Sequence, residues 1–175
     1  MLKYELKKVF TRTSNRIALL LLLAVMGVTC YFAMGISWVD EEGATHKGPM
    51  AVAQLRAAQK EWTGYLDEEA VRRVIEENQR IHSLPEAQTD NLRDSQITYA
   101  RGQGFQEIRW LLNYSFASGF RESDYYRMDS LTPEDAPDFY ANRIRLLQEW
   151  LAEEAKDQFS EEEKAFLVEQ DESLE

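Results

Sequence analysis

Few side chains in this sequence stand at spacings that do chemistry. The two histidines, His46 and His82, lie far apart. Neither has a Cys, His or carboxylate at zinc-ligand spacing, so no metal site is expected. Cys30 is the only cysteine, and it falls inside an apolar run. With no G-x-S-x-G elbow in the chain, a nucleophilic triad has no support. Gly102-Gln103-Gly104 has the outline of a phosphate loop but lacks the third glycine, a preceding strand and any Gly-Lys-Ser/Thr. It is read as the entry turn of a helix. The carboxylate clusters Glu68-Glu69, Glu153-Glu154 and Glu161-Glu162-Glu163 sit at helix starts or on polar faces. Catalytic carboxylates need burial to shift their pKa, so these are read as solvated surface. Neither an enzymatic activity nor a cofactor is expected. What remains is aromatic. Most aromatic residues fall at core spacing, but Phe120, Tyr125 and Tyr126 stand among charges in an aperiodic stretch. They are the candidates for an exposed contact surface; an aromatic loop pinned onto the helices explains them equally well.

The charge is distributed in three blocks. The chain has 175 residues, 31 acidic and 20 basic, for a net charge of −11. Residues 1–16 carry Lys3, Lys7, Lys8, Arg12 and Arg16 against Glu5 alone, and residues 17–36 carry no charge. Everything after them is strongly acidic. Phosphate backbones need a basic surface that releases counterions, so nucleic acid is not an expected partner. The basic start lies directly before the apolar run, and membrane lipid headgroups are its expected partner.

Ile17 to Ile36 reads IALLLLLAVMGVTCYFAMGI. Twenty helical residues span about 30 Å, the thickness of a bilayer's hydrocarbon core. A lone segment in lipid satisfies its backbone only as a helix. We therefore expect a transmembrane helix over 17–39, with Tyr31 and Trp38 toward the far interface. The lysine and arginine asymmetry places residues 1–16 in the cytoplasm and residues from about 40 onward outside the cell membrane. A cleavable signal peptide ending at Ala33-Met34-Gly35 is the rival reading, although its apolar stretch exceeds the usual ~7–15 residues. A lipoprotein cysteine at Cys30 fits poorly after Gly27-Val28-Thr29. Small residues at Gly27, Thr29, Cys30, Ala33 and Gly35 offer a surface for helix packing, with Ala33 sharing a face with Thr29 or Cys30. Leu19 to Leu23 is uniformly bulky and suits lipid.

Ahead of the span, Leu2, Leu6, Val9 and Phe10 fall on one side of a helix, with Lys3, Lys7 and Lys8 away from that stripe. This is the pattern of a short interfacial helix with its cations toward anionic lipid; a basic flank with chance periodicity is the alternative. Thr11 to Asn15 would turn the chain into the membrane.

Residues 40–48 read as a polar linker, and 49–175 as a helical extracytoplasmic domain without disulfides. Pro49 opens a helix that runs to Trp62. Asp67 caps the next, whose buried face is Val71, Val74, Ile75 and Ile81. Residues 85–95 look loop-like. Gln103 to Phe116 carries Phe105, Ile108, Leu111, Leu112 and Phe116 at helical spacing, and 117–131 is irregular. The longest helix is expected from Asp138 to Gln158, with Tyr140, Ile144, Leu147, Trp150 and Leu151 as its core stripe. Ser160 and Glu163 form a capping box for a last helix through Phe166 and Leu167. The fold class is all-α.

The opening MLKYELKKVF, the single span, and the pieces TGYLDEEAVRRVIEENQRI, QGFQEIRWLL, ESDYYRMDSL and EEAKDQFSEEEKAFL resemble bacterial ABC transporter permeases of the type-two exporter class. The resemblance covers the N-terminal part of such a permease: an interfacial helix, a first membrane helix and an extracytoplasmic insertion. It implies a non-catalytic transport component whose partners are a separate cytoplasmic ATPase subunit and the remaining permease segments. A complete permease has about six spans and this chain has one, so by itself it would form no translocation path. The alternative is a single-span, membrane-anchored helical module that binds a partner outside.

Overall fold

The computed structural model describes residues 13–33 and 35–173. The expected interfacial helix, with Leu2, Leu6, Val9 and Phe10 and the cations Lys3, Lys7 and Lys8, lies outside the described residues. The described chain is mostly helical, with one small antiparallel hairpin.

Helix α1 covers Thr13–Ala33. Its start corrects the expected turn at Thr11 to Asn15, since Thr13, Ser14 and Asn15 belong to the helix. Short polar residues are well placed there, because the first N–H groups have no partner within the helix. Its end corrects the 17–39 span. Ser37–Val39 is a strand, β1, paired antiparallel with β2, Thr45–Lys47, so that Trp38 faces His46. The linker expected at 40–48 is therefore largely a hairpin. Its turn is built by Asp40, whose Oδ1 accepts from the N–H of Glu42 at 3.0 Å and of Ala44 at 2.8 Å. Gly43 takes a φ of 82°, open to glycine at little cost. Asp40 Oδ2 lies 2.6 Å from His46 Nε2. The His46 hydrogen bond, followed by the Ala44 N–H, holds the Asp40 carboxyl below the ordinary carboxylate range.

Helix α2, Pro49–Lys60, starts on its proline. Helix α3, Glu68–His82, is capped by Asp67, which accepts from the Ala70 N–H at 2.8 Å. Val71, Val74, Ile75 and Ile81 are buried along α3, as their spacing predicts. The polar stretch after Pro85 does not remain a loop. Asn91 accepts from the Arg93 N–H and caps a helix, α4, over Leu92–Gly102. A short 3-10 turn at Gln103–Phe105 leads into α5, Gln106–Ser115. Gly102-Gln103-Gly104 thus joins two helices. Glycine suits position 104: a Cβ there would lie 3.1 Å from the Ala58 carbonyl oxygen, tighter than an ordinary contact, so its absence eases the close approach of α2.

Helix α6 runs over Asp138–Ala152 and stops short of the expected Gln158. The Ala155 N–H reaches back to the Trp150 carbonyl at 2.9 Å, a wider turn that ends the helical ladder. Helix α7, Glu161–Glu172, has the expected capping box of Ser160 and Glu163. The Ser160 N–H and then its hydroxyl hold the Glu163 carboxyl below its ordinary range.

Two apolar clusters hold these elements together. The larger joins the α3 stripe to Phe105, Leu112, Phe116, Met128, Leu131 and Phe139. The smaller joins Leu147, Trp150, Leu151 and Ala155 to Phe120, Phe159, Leu167 and Val168. Trp150 is buried as expected, but it anchors the smaller cluster. Tyr140 packs on the larger one and donates its hydroxyl to the Leu66 carbonyl at 2.8 Å. Phe166 is 57% exposed, so α7 docks through Leu167 and Val168 instead.

Candidate functional site

Arg109 is the starting point. It lies on α5 in register with Phe105, Leu112 and Phe116, a charged residue on the face that otherwise builds the core. Its side chain keeps only 11% of its surface in water. A cation so placed must be paired, and two segments, α3 and residues 125–129, supply its partners. Asn78 and His82, one turn apart on α3, present one face to it. Nη1 of Arg109 donates to Asn78 Oδ1 at 2.9 Å and lies 3.3 Å from His82 Nε2. Nη2 donates to Asp129 Oδ1 at 3.0 Å, and Asn78 Nδ2 donates to the same oxygen at 3.0 Å. His82 Nε2 stands 3.4 Å from that oxygen as well. The Nε of Arg109 is buried and has no partner among the described residues.

Asp129 comes from the irregular stretch, which Asn113 of α5 pins in place. Asn113 Oδ1 accepts from the Met128 N–H at 2.9 Å, and its Nδ2 donates to the Tyr125 carbonyl at 3.3 Å. This fixes the tyrosines that precede Asp129. The Arg109 guanidinium lies 5.3 Å from the centre of the Tyr125 ring. Tyr125 meets Trp110 and Tyr126 edge-on, at 5.6 and 5.2 Å between ring centres.

Above this network opens a cleft of about 180 Å³ between α3, α4, α5 and the 125–129 segment. Ser95 and Tyr99 of α4 and Gln106 of α5 line its other side. Tyr99 is 47% and Tyr126 72% exposed. Among the described residues, the side chains of Ser95, Tyr99, Gln106 and Tyr126 make no hydrogen bond. Glu86, also at the cleft, is paired with Arg101 at 3.1 Å. The charges at the site are compensated, while its hydroxyls and amide are open.

Of the three aromatic residues expected to form one contact surface, Tyr125 and Tyr126 come together at this cleft. Phe120 does not. It is half-buried in the smaller apolar cluster, stacked on Trp150 at 5.5 Å, because α6 offers it an aromatic partner. Among the described residues, Gly27, Thr29 and Cys30 of the apolar helix form no contact face. Nothing lies within 4 Å of a Cβ placed on Gly27, Thr29 donates its hydroxyl back to the Val25 carbonyl, and Cys30 is free and exposed. Ala33 is the last residue of α1, and Gly35 lies beyond it in a turn. Sequence reasoning missed Asn78, Arg109 and Asp129. The available signal was an arginine at a core position of the α5 stripe.

Comparison with family models, with curated proteins and with solved structures finds no match to this chain. The site's chemistry therefore rests on its own geometry: a charge-neutral polar floor with a rim of tyrosines.

Proposed function

We propose that the chain is a non-catalytic membrane component of an ABC-type exporter, contributing its first membrane helix and a helical extracytoplasmic domain. The observation that supports this is α1 itself. Its stretch Thr13–Cys30 has a mean hydropathy of 1.6 and none of it is buried. Leu20, Leu21, Leu22, Val25 and Val28 are each more than half exposed. Water does not tolerate so long an apolar surface, whereas lipid and neighbouring membrane helices do. The helical domain meanwhile builds both of its clusters, among the described residues, without residues 13–30 of α1.

In this reading the cell membrane holds α1, the basic N-terminus stays in the cytoplasm, and the cleft faces outside. A cysteine at Ser130, in a Cys30→Ala background, is then labelled by an impermeant thiol reagent in intact cells. One at Ser14 is protected until lysis. Labelling in the reverse order refutes the orientation.

The transporter assignment has its own test. Replacing residues 24–36 by leucines removes Gly27, Thr29, Cys30, Ala33 and Gly35 while keeping an apolar span. Membrane insertion is expected to persist. Co-purification with the ATPase subunit and the other permease segments is expected to be lost, because helix association in lipid depends on close fit between small residues. Unchanged recovery of those partners eliminates a packing role for α1. The second reading, a single-span binding module, is favoured by one observation: the cleft over Arg109 is built of paired charges and unused hydrogen-bonding groups.

A further inference from the structure

We propose that the cleft over Arg109 binds the neutral end unit of a saccharide. This goes beyond the transporter reading and is independent of it, since the cleft's chemistry is the same whichever partners α1 has. The first ground is charge. An anionic ligand needs an unpaired cation, but Arg109 already serves Asp129 and Asn78, and Arg101 serves Glu86. A cationic ligand needs an unpaired carboxylate, and both carboxylates are those same partners. Breaking either pair to admit a charge leaves a partly buried ion uncompensated, which is strongly unfavourable. A neutral ligand leaves both pairs intact.

The second ground is the kind of contact on offer. Ser95, Tyr99, Gln106 and Tyr126 present hydroxyl and amide groups with no partner among the described residues. Each hydroxyl both donates and accepts, as does the amide, and this suits the dense, two-way hydrogen bonding of sugar hydroxyls. The exposed tyrosine rings add electron-rich faces, to which the polarised C–H groups on one side of a pyranose are attracted. The third ground is size. At about 180 Å³ the cleft is smaller than the ~300–1,000 Å³ of pockets that enclose a whole drug-sized ligand. It accommodates an end unit, with the remainder of the chain in solvent. A peptide is the less suitable occupant, because the cleft presents neither a strand edge to extend nor an apolar groove for a helix.

The test uses the full chain in lipid nanodiscs, since maltoside and glucoside detergents would themselves compete. Glucose, galactose, mannose, N-acetylglucosamine and their disaccharides are titrated by isothermal calorimetry, with the tryptophan fluorescence, to which Trp110 beside Tyr125 contributes, followed in parallel. Saturable binding of at least one neutral sugar is expected, with a Kd on the order of 1 mM. Tyr126→Ala is expected to weaken it at least tenfold, and Gln106→Ala severalfold. Both residues are outside the apolar clusters, and a circular dichroism spectrum checks that each variant stays folded. Failure of every sugar to saturate overturns the proposal. So does binding that both variants leave unchanged. Displacement of a bound sugar by a proline-rich peptide of higher affinity would assign the cleft to peptides instead.

Discussion

Phe105→Ala is expected to destabilise the folded chain by about 3–5 kcal/mol, the range for removing a large buried aromatic side chain. Phe105 is 1% exposed and occupies the short turn between α4 and α5. It is the point where α2 is fastened to the larger cluster. Trp62 meets it edge-on at 4.8 Å between ring centres, and Gly104 beside it lies against the Ala58 backbone. The backbone here cannot collapse into a cavity, because the α2 contact and the flanking helices hold the turn on both sides. The measurement is urea unfolding followed by circular dichroism, with a lowered midpoint and an unchanged slope. Phe105→Leu, which keeps most of the volume, should cost less than about 1.5 kcal/mol. A loss below about 1 kcal/mol for the alanine variant refutes the assignment of Phe105 to the core.

The second large effect concerns the floor of the cleft. Arg109→Ala is expected to cost about 3 kcal/mol, the lower end of the range for breaking a buried ion pair, because Asp129 is only partly shielded. The loss has two parts. Asp129 is left without its cation at 24% side-chain exposure, and Asn78 Oδ1 is left without its donor. Replacing both charges at once, Arg109→Met with Asp129→Leu, should recover the part of the loss due to the uncompensated carboxylate but not the part due to Asn78, whose amide then lacks both partners. A double-mutant cycle in thermal unfolding reads the coupling directly. Additive losses would mean that Arg109 contributes through its aliphatic stem and the Tyr125 contact alone.

The parts of the fold that were legible in the sequence are those decided within a few residues. Asp67 lies three positions before the N–H it caps, and Ser160 with Glu163 closes its box over the same distance. The α3 stripe is apolar at Val71, Val74, Ile75 and Ile81, interrupted only by Asn78, and so it reads as a buried face. Helix α4 was not legible, because LRDSQITYARG carries no apolar stripe and none of its residues is buried. Its place is set by tertiary contact. The hairpin was missed for a related reason: strands of three residues are too short to alternate visibly, and Asp40 and Gly43 in a charged stretch resemble any linker. The early end of α6 has no glycine or proline to announce it. The cleft was the least accessible of all. Asn78, His82, Arg109 and Asp129 come from three segments, and each alone has an ordinary explanation. Tyr125 and Tyr126 were singled out as a contact surface, and they are the rim; His82 was weighed only as a metal ligand, and the floor beneath the tyrosines depends on long-range packing.

Gln103 gives the hairpin a mechanical meaning. Its side-chain Oε1 accepts from the Val39 N–H at 3.1 Å, and its Nε2 donates to the Val39 carbonyl at 2.6 Å. The side chain thereby acts as a further rung of the ladder beside β1, and it is buried between α4 and α5. Only residues 34–36 separate β1 from the apolar helix. A tension or torque that reaches β1 is delivered to Val39 and passed through one amide to the root of α5, a turn and a half from Arg109. The hairpin and the floor of the cleft thus lie on one load path, joined by a clasp.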